Sequence, residues 1–345
     1  MDASEFGRLY ASVLALEVDN FRRPAALATI VRTFGSSFRR AGARMLVHDD
    51  GSVVCALSGG CPQHDIVERA KRVIARGYAE IARYNRDEGL DVLMEMGCGG
   101  ELEVIIEPLR SSDDTRYLHA ITRVHESRRR GVLVTAFAQE QDQIQQRHFV
   151  RAGDIHWHDF DDAPSLAQAT AYANAVDSGP AFDAGTGWLI ESILPPQLLV
   201  LIGVNATSIA LADIAAALGW TCVLVQHTMH ADSQPTDARI ETIPPESIRE
   251  KIPCDAACGV VVMTFNLERD VAYLSALAPA PFGYIGAIGS RERSARRREA
   301  CAGVHLHAPA GLDLGAGNPQ EIALAIAAEI VAERNARAGG SMSVQ

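Results

Sequence analysis

LLVLIGVNATSIALADIAAALGWTCVLVQ, residues 198–226, decides the fold. Five apolar residues (198–202) form a strand signal, a turn follows, and residues 207–218 carry a helix-length apolar pattern. A second strand signal at 221–225 closes a βαβ unit of about 30 residues. Strand signals recur at 259–263 and 283–287 with helical stretches between and after them, so residues 196–338 read as a Rossmann-like, doubly wound parallel sheet. The turn after the first strand is where a dinucleotide fingerprint would stand. Of its G-x-G-x-x-G pattern only Gly203 is present, with Asn205 and Ser208 at the other two places. The second strand ends in Gln226, where a carboxylate would hold a ribose hydroxyl. NAD(P) binding is therefore not expected, and Gly203 and Asn205 stay as candidates for contact with some other cofactor.

Working back toward the N-terminus, Pro195-Pro196 and the turn-rich DSGPAFDAGTG (177–187) mark a domain boundary. The first domain, 1–192, reads as α+β. Ser4 is an N-cap candidate for a helix over 4–19. Strand signals follow at 25–31, 43–49 and 52–57, the last two joined by an Asp50-Gly51 turn. A long amphipathic helix is predicted over 65–84, with strands at 91–95 and 102–108. Between 113 and 192 the signals weaken to a helix at 113–129, strands near 132–138 and 146–150, and an acidic loop at 158–163. Residues 339–345 read as a flexible tail.

Three motifs of the first domain carry chemistry. GSSFRRAGAR (35–44) lies between two strands and offers guanidinium groups that can clamp phosphate oxygens, or else a solvated hairpin loop. If the segment is extended, Arg40 and Arg44 project together and Arg39 opposite. Gly59-Gly60-Cys61 and Gly97-Cys98-Gly99-Gly100 each present a thiol among small residues at a strand end. Each allows close approach of a planar cofactor, and a following helix N-terminus would make the thiol more acidic. Either cysteine can equally be a small buried hydrophobe in a turn. Cys254/Cys258, His227/His230 and His305/His307 do not reach four ligands with zinc-site spacing, so no metal site independent of a cofactor is expected.

Composition narrows the function classes. The 345 residues are 48% hydrophobic and 22% charged, with a formal net charge of −11, and Lys71 and Lys251 are the only lysines. An acidic chain lacks the general phosphate attraction that dominates nucleic-acid binding. No apolar run reaches the roughly 20 residues a membrane span needs. Seven cysteines without a repeated CxxC pair, behind an N-terminus lacking a signal-peptide pattern, fit a reducing cytoplasm.

ATIVRTFGSSFRRAGARMLV (28–47), LSGGC (57–61), GCGGELEVIIEPL (97–109), VVMT (261–264), YIGAIGSRERSARR (284–297) and AGLDLGAGNPQEIALAIAAEIVAER (310–334) together resemble the XdhC/CoxI family, in that family's order. These are accessory proteins that mature molybdenum hydroxylases of the xanthine dehydrogenase, aldehyde oxidoreductase and carbon monoxide dehydrogenase type. The resemblance implies a chaperone in which catalysis need not occur. It would bind the molybdenum cofactor transiently, as molybdopterin or its cytosine dinucleotide form, protect it during sulfuration, and deliver it to an apo-enzyme, with a cysteine desulfurase as a second partner. The cleft between the two halves would shield the cargo from water, and a homodimer is the default assembly. Carried over residue by residue, the family's basic loop becomes Arg39, Arg40 and Arg44, and its two glycine-cysteine motifs become Gly59, Gly60, Cys61 and Gly97, Cys98, Gly99, Gly100. The chain departs from the family where Pro62-Gln63 replaces Leu-Glu after Cys61, where Phe38 and Ala41 replace the two prolines around the double arginine, and at Gly203–Ala206, Gln226 and Phe265. Two other readings stay open: a scaffold that binds the apo-enzyme or desulfurase without cofactor, and an NAD(P)-dependent oxidoreductase.

Overall fold

The computed structural model describes residues 3–35, 39–57, 61–84, 101–140, 143–175, 181–183, 187–228, 238–300, 303 and 305–341. Side chains of residues 61, 138–140, 143, 145, 291 and 300 lie outside that description. Two compact units divide the chain, Met1–Pro195 and Pro196–Gln345. Among the described residues no helix is long and apolar enough to cross a membrane.

The first unit opens with α1 (Ala3–Val18), so Ser4 lies inside the helix rather than capping it. Phe6, Leu9, Val13 and Leu16 recur at helical spacing and form the buried face. Strands β1 (Ala25–Phe34), β2 (Arg44–His48), β3 (Val53–Val54), β4 (Glu80–Tyr84) and β5 (Glu101–Leu109) make an antiparallel sheet in the order β3-β2-β1-β5-β4. Both faces of β1 are covered. Ala26, Ala28 and Ile30 pack with Ile66, Ala70 and Val73 of α2 (Cys61–Arg76), while Ala25 and Leu27 pack toward α1 and α3 (Arg116–Ser127).

The single helix predicted over 65–84 is instead α2 followed by β4. Gly77 sits at φ +78° and donates its N–H to Val73, closing the helix, which is a conformation glycine adopts without penalty. The strand expected at 52–57 stops at Val54, because Cys55 takes φ +62°. The strand predicted at 91–95 lies outside the described residues. A second antiparallel sheet, in the order β8-β7-β6-β10-β9, contains β6 (Gly131–Glu140), β7 (Gln143–Ala152), β8 (Ile155–His158), β9 (Ala181–Asp183) and β10 (Trp188–Ile193). Helix α4 (Ala163–Ala175) packs against it through Ala169, with Leu166 and Tyr172 at the margin.

The second unit is the α/β sandwich that residues 198–226 predict. Strands β11 (Leu198–Ile202), β12 (Thr221–Gln226), β13 (Arg239–Thr242), β14 (Cys258–Val262) and β15 (Tyr284–Ala287) are all parallel, in the order β13-β12-β11-β14-β15. The order reverses between β11 and β14, so the switch point lies there. Leu198, Val200 and Ile202 face the short α6 (Ile248–Lys251) and α7 (Leu267–Leu277). Leu199 and Leu201 face α5 (Ala206–Ala217) and α9 (Pro319–Arg334). Helix α8 (Arg291–Ala300) follows β15.

Candidate functional site

Over residues 40–43 the basic loop is turned rather than extended. Ala43 donates its N–H to the Arg40 carbonyl at 3.1 Å, Gly42 donates to the Ile30 carbonyl at 2.7 Å, and Gly42 sits at φ +88°. This turn separates the directions of Arg40 and Arg44, which therefore do not project together. Arg44 points inward and forms a bidentate pair with Glu191 of β10, Nη1 to Oε1 at 2.9 Å and Nη2 to Oε2 at 2.6 Å. Its Nη1 also donates to the Gly42 carbonyl at 3.0 Å. A Cβ on Gly42 would sit 2.3 Å from Glu191 Oε1, so the glycine is required by the ion pair. Arg39 donates to both carboxylate oxygens of Glu5 at 2.7 Å. Arg40 is exposed, with no carboxylate partner among the described residues. Of the other first-domain candidates, Gly59, Gly60, Gly97, Cys98, Gly99 and Gly100 lie outside the described residues. Cys61 is the first residue of α2, and its side chain also lies outside them.

Gly203 and Asn205 are described in full, and both serve the protein's own structure. Gly203 sits at φ +116°, and a Cβ there would fall 2.8 Å from the carbonyl carbon and oxygen of Met263. The glycine thus lets β11 end against β14. Asn205 caps α5: its Oδ1 accepts from the N–H groups of Thr207 (3.0 Å) and Ser208 (3.1 Å), and its Nδ2 donates to the Met263 carbonyl at 2.9 Å. Two of the helix N–H groups that would meet a pyrophosphate are therefore already bonded. Gln226 donates its amide to Thr242 Oγ1 at 3.1 Å, across to β13.

At the carboxyl ends of β14 and β15 a crevice of about 660 Å³ opens. Its walls are Thr264 and Phe265 after β14, Ile288 and Gly289 after β15, Arg293 of α8, Ile322 and Ala325 of α9, and the backbone of 309–316. That last segment is held by Leu312 N–H to the Ala325 carbonyl (3.2 Å) and Gly311 N–H to Glu329 (2.8 Å). Beneath the crevice a wholly buried pair, Asp270 with Arg297, fixes α8 to α7; Arg297 also donates to the Ile288 carbonyl at 2.6 Å. Thr264 donates to the other Asp270 oxygen at 2.5 Å. Arg293 forms a longer ion pair with Asp270 at 3.8 Å and, like Asp313, lines the crevice.

A second cavity, about 690 Å³, lies within the first unit. Tyr117 and His148 stack at 3.8 Å along its wall, and Tyr117 donates to Glu107 at 3.2 Å. Burial pushes the Glu107 carboxyl above its ordinary range. Its cations are largely matched: Arg147 pairs with Asp161 at 2.8 Å and Arg116 with Asp113 at 2.6 Å. Anionic ligands would compete with carboxylates there; at Arg293 the ion-pair partner, Asp270, is held more closely by Arg297.

The glycine-rich end of the parallel sheet and the basic-loop hairpin both carry family signatures. The XdhC Rossmann domain matches residues 199–330, and the XdhC and CoxI family matches residues 21–85. The chain belongs to the XdhC and CoxI family. It is 28% identical over 320 residues to a probable xanthine dehydrogenase subunit of Bacillus subtilis, covering 90% of this chain and 93% of that protein. It is 23% identical to the molybdenum cofactor insertion chaperone PaoD of Escherichia coli, covering 90% and 83%. A crystal structure of a xanthine dehydrogenase from Bacillus halodurans shares the fold, with a TM-score of 0.79 at 22% identity, over 99% of this chain and 98% of that one.

Phe265, Gly289, Arg293 and Asp313 of the crevice are absent from the residues that motif reading selects. The signal that finds them is positional: they follow the strand ends or lie in the loop before the last helix of this XdhC and CoxI family member, where open α/β sheets bind ligands.

Proposed function

We propose that this protein carries the molybdenum cofactor, as molybdopterin or its cytosine dinucleotide form, during maturation of a molybdenum hydroxylase. It would hold the cofactor in the second-unit crevice and pass it to the apo-enzyme. Arg293 is the observation that carries this reading: a guanidinium on the crevice wall whose ion-pair partner Asp270, at 3.8 Å, is held more closely by Arg297. A volume of about 660 Å³ falls in the range of small-molecule sites. Arg293 suits a phosphate, and the exposed ring of Phe265 suits stacking at the rim. The naming of PaoD as an insertion chaperone supports the same role. A cysteine desulfurase as second partner, Cys61 and Cys98 as sulfur-handling thiols and a homodimeric assembly belong to the proposal.

The test is equilibrium binding of released cofactor to the parent, Arg293→Ala and Arg147→Ala. Loss of a charged hydrogen bond of about 1.5–3 kcal/mol predicts roughly 10- to 100-fold weaker binding for Arg293→Ala. Arg147→Ala should leave affinity unchanged. The opposite pattern moves the cargo to the first-unit cavity. One observation favours a second reading, a scaffold that binds partners without cofactor: the α5 N-terminus is capped by Asn205 and Gln226 is tied to Thr242. Absence of cofactor binding in all three proteins would select it.

A further inference from the structure

We propose that His305, His307 and Glu333 form a binding site for a zinc-class divalent cation, separate from the crevice and independent of the cofactor reading. The sequence spacing gives His305 and His307 no further ligands; the fold supplies them. The segment carrying His307 is bonded to β15 on both backbone groups, His307 N–H to the Ile285 carbonyl and Ala287 N–H to the His307 carbonyl, each at 2.9 Å. In such extended backbone residues two apart share a face, which places His305 beside His307. Glu329 and Glu333, four apart on α9, share a helix face. One ligand atom from each of His305, His307 and Glu333 lies within 4.8 Å of the other two.

The supporting carboxylate is the second argument. Glu329 lies 3.3 Å from His307 Nδ1, and it is itself fixed by Tyr284 Oη (2.5 Å) and Gly311 N–H (2.8 Å). Tyr284 also stacks on the His307 ring at 4.4 Å. A carboxylate on Nδ1 sets the tautomer and orientation of an imidazole and leaves Nε2 to bind an ion, which is the outer-shell arrangement of histidine metal sites. Two neutral imidazoles and a carboxylate make a nitrogen-rich set suited to zinc, with a fourth position left to water. Ligands at about 2.0–2.2 Å from an ion stand about 3.4 Å apart, so the set must contract. His305 and Glu333 are both exposed and free to close on the half-buried His307.

The test uses the full chain, dialysed against Zn2+ and assayed for bound metal, with Co2+ as a spectroscopic probe. The parent, His305→Ala and Glu333→Gln are compared. The parent should bind one equivalent that raises its melting temperature, and the Co2+ spectrum should lack thiolate charge transfer. Both variants should lose more affinity than the about 10- to 100-fold typical of outer-shell changes, while their metal-free melting temperatures match the parent's. Equal Zn2+ affinity in parent and variants, no binding in the parent, or a thiolate-type Co2+ spectrum overturns the proposal.

Discussion

Arg44 and Glu191 stand 147 positions apart in sequence and meet in a bidentate ion pair at 2.9 and 2.6 Å, nearly inaccessible to solvent. The pair ties β2 of one sheet to β10 of the other. Breaking a buried pair by removing one partner leaves the other charge unpaired, so Arg44→Ala should lower stability by about 3–5 kcal/mol. Denaturant unfolding measures it, and a loss below about 1 kcal/mol would contradict the assignment of Arg44 to the interior.

Glu191 and its neighbour Glu107 should have opposite pH signatures. Burial alone would raise Glu191, but the Arg44 charge and hydrogen bonds outweigh it and hold the carboxyl below its ordinary 4.5. Its contribution is present above that value and is lost as pH falls through the lower, folded pKa. For Glu107 burial prevails and the folded pKa is raised, so its contribution is greatest below 4.5 and declines as pH rises through the folded value. Glu107→Gln should therefore be more stable than the parent at neutral pH, with the difference vanishing in acid. Parallel unfolding curves across the acid range decide the sign.

Gly203→Ala should destabilise by about 2–4 kcal/mol, since the added methyl meets the Met263 carbonyl at 2.8 Å in a backbone conformation that disfavours it. A thermal melt within a degree of the parent would show that the β11–β14 contact relaxes freely.

NADH and NADPH should bind with dissociation constants above about 1 mM, equivalent to no more than about 4 kcal/mol. Asn205 already takes the Thr207 and Ser208 N–H groups, and Gln226 offers an amide where a ribose needs a carboxylate. Micromolar affinity by calorimetry would revive the oxidoreductase reading.

The parallel sheet was legible because LLVLI and CGVVV are buried along their whole length and TCVLV is apolar from Cys222 on, so neighbouring strands add little information. The first unit was harder. Gly77 ends α2 inside a stretch whose helical pattern continues into β4, and the short β8, β9 and β10 carry polar residues such as His156 and Glu191, the latter with its partner 147 positions away. The same distance hid Arg44. Local spacing places an arginine in a basic loop, and only the folded chain brings the carboxylate that claims it. Arg293 was hidden for the converse reason: within RERSARRREA it is one of five arginines, and only the pairing of Arg297 with Asp270 distinguishes it.

The most direct test of the cofactor-carrier role is the molybdenum and pterin content of the protein purified anaerobically from molybdate-fed cells, beside Arg293→Ala and an empty-vector control. A carrier should hold stoichiometric molybdenum and pterin, with a marked loss of both from Arg293→Ala. Parent protein with no more of either than the control would contradict that role.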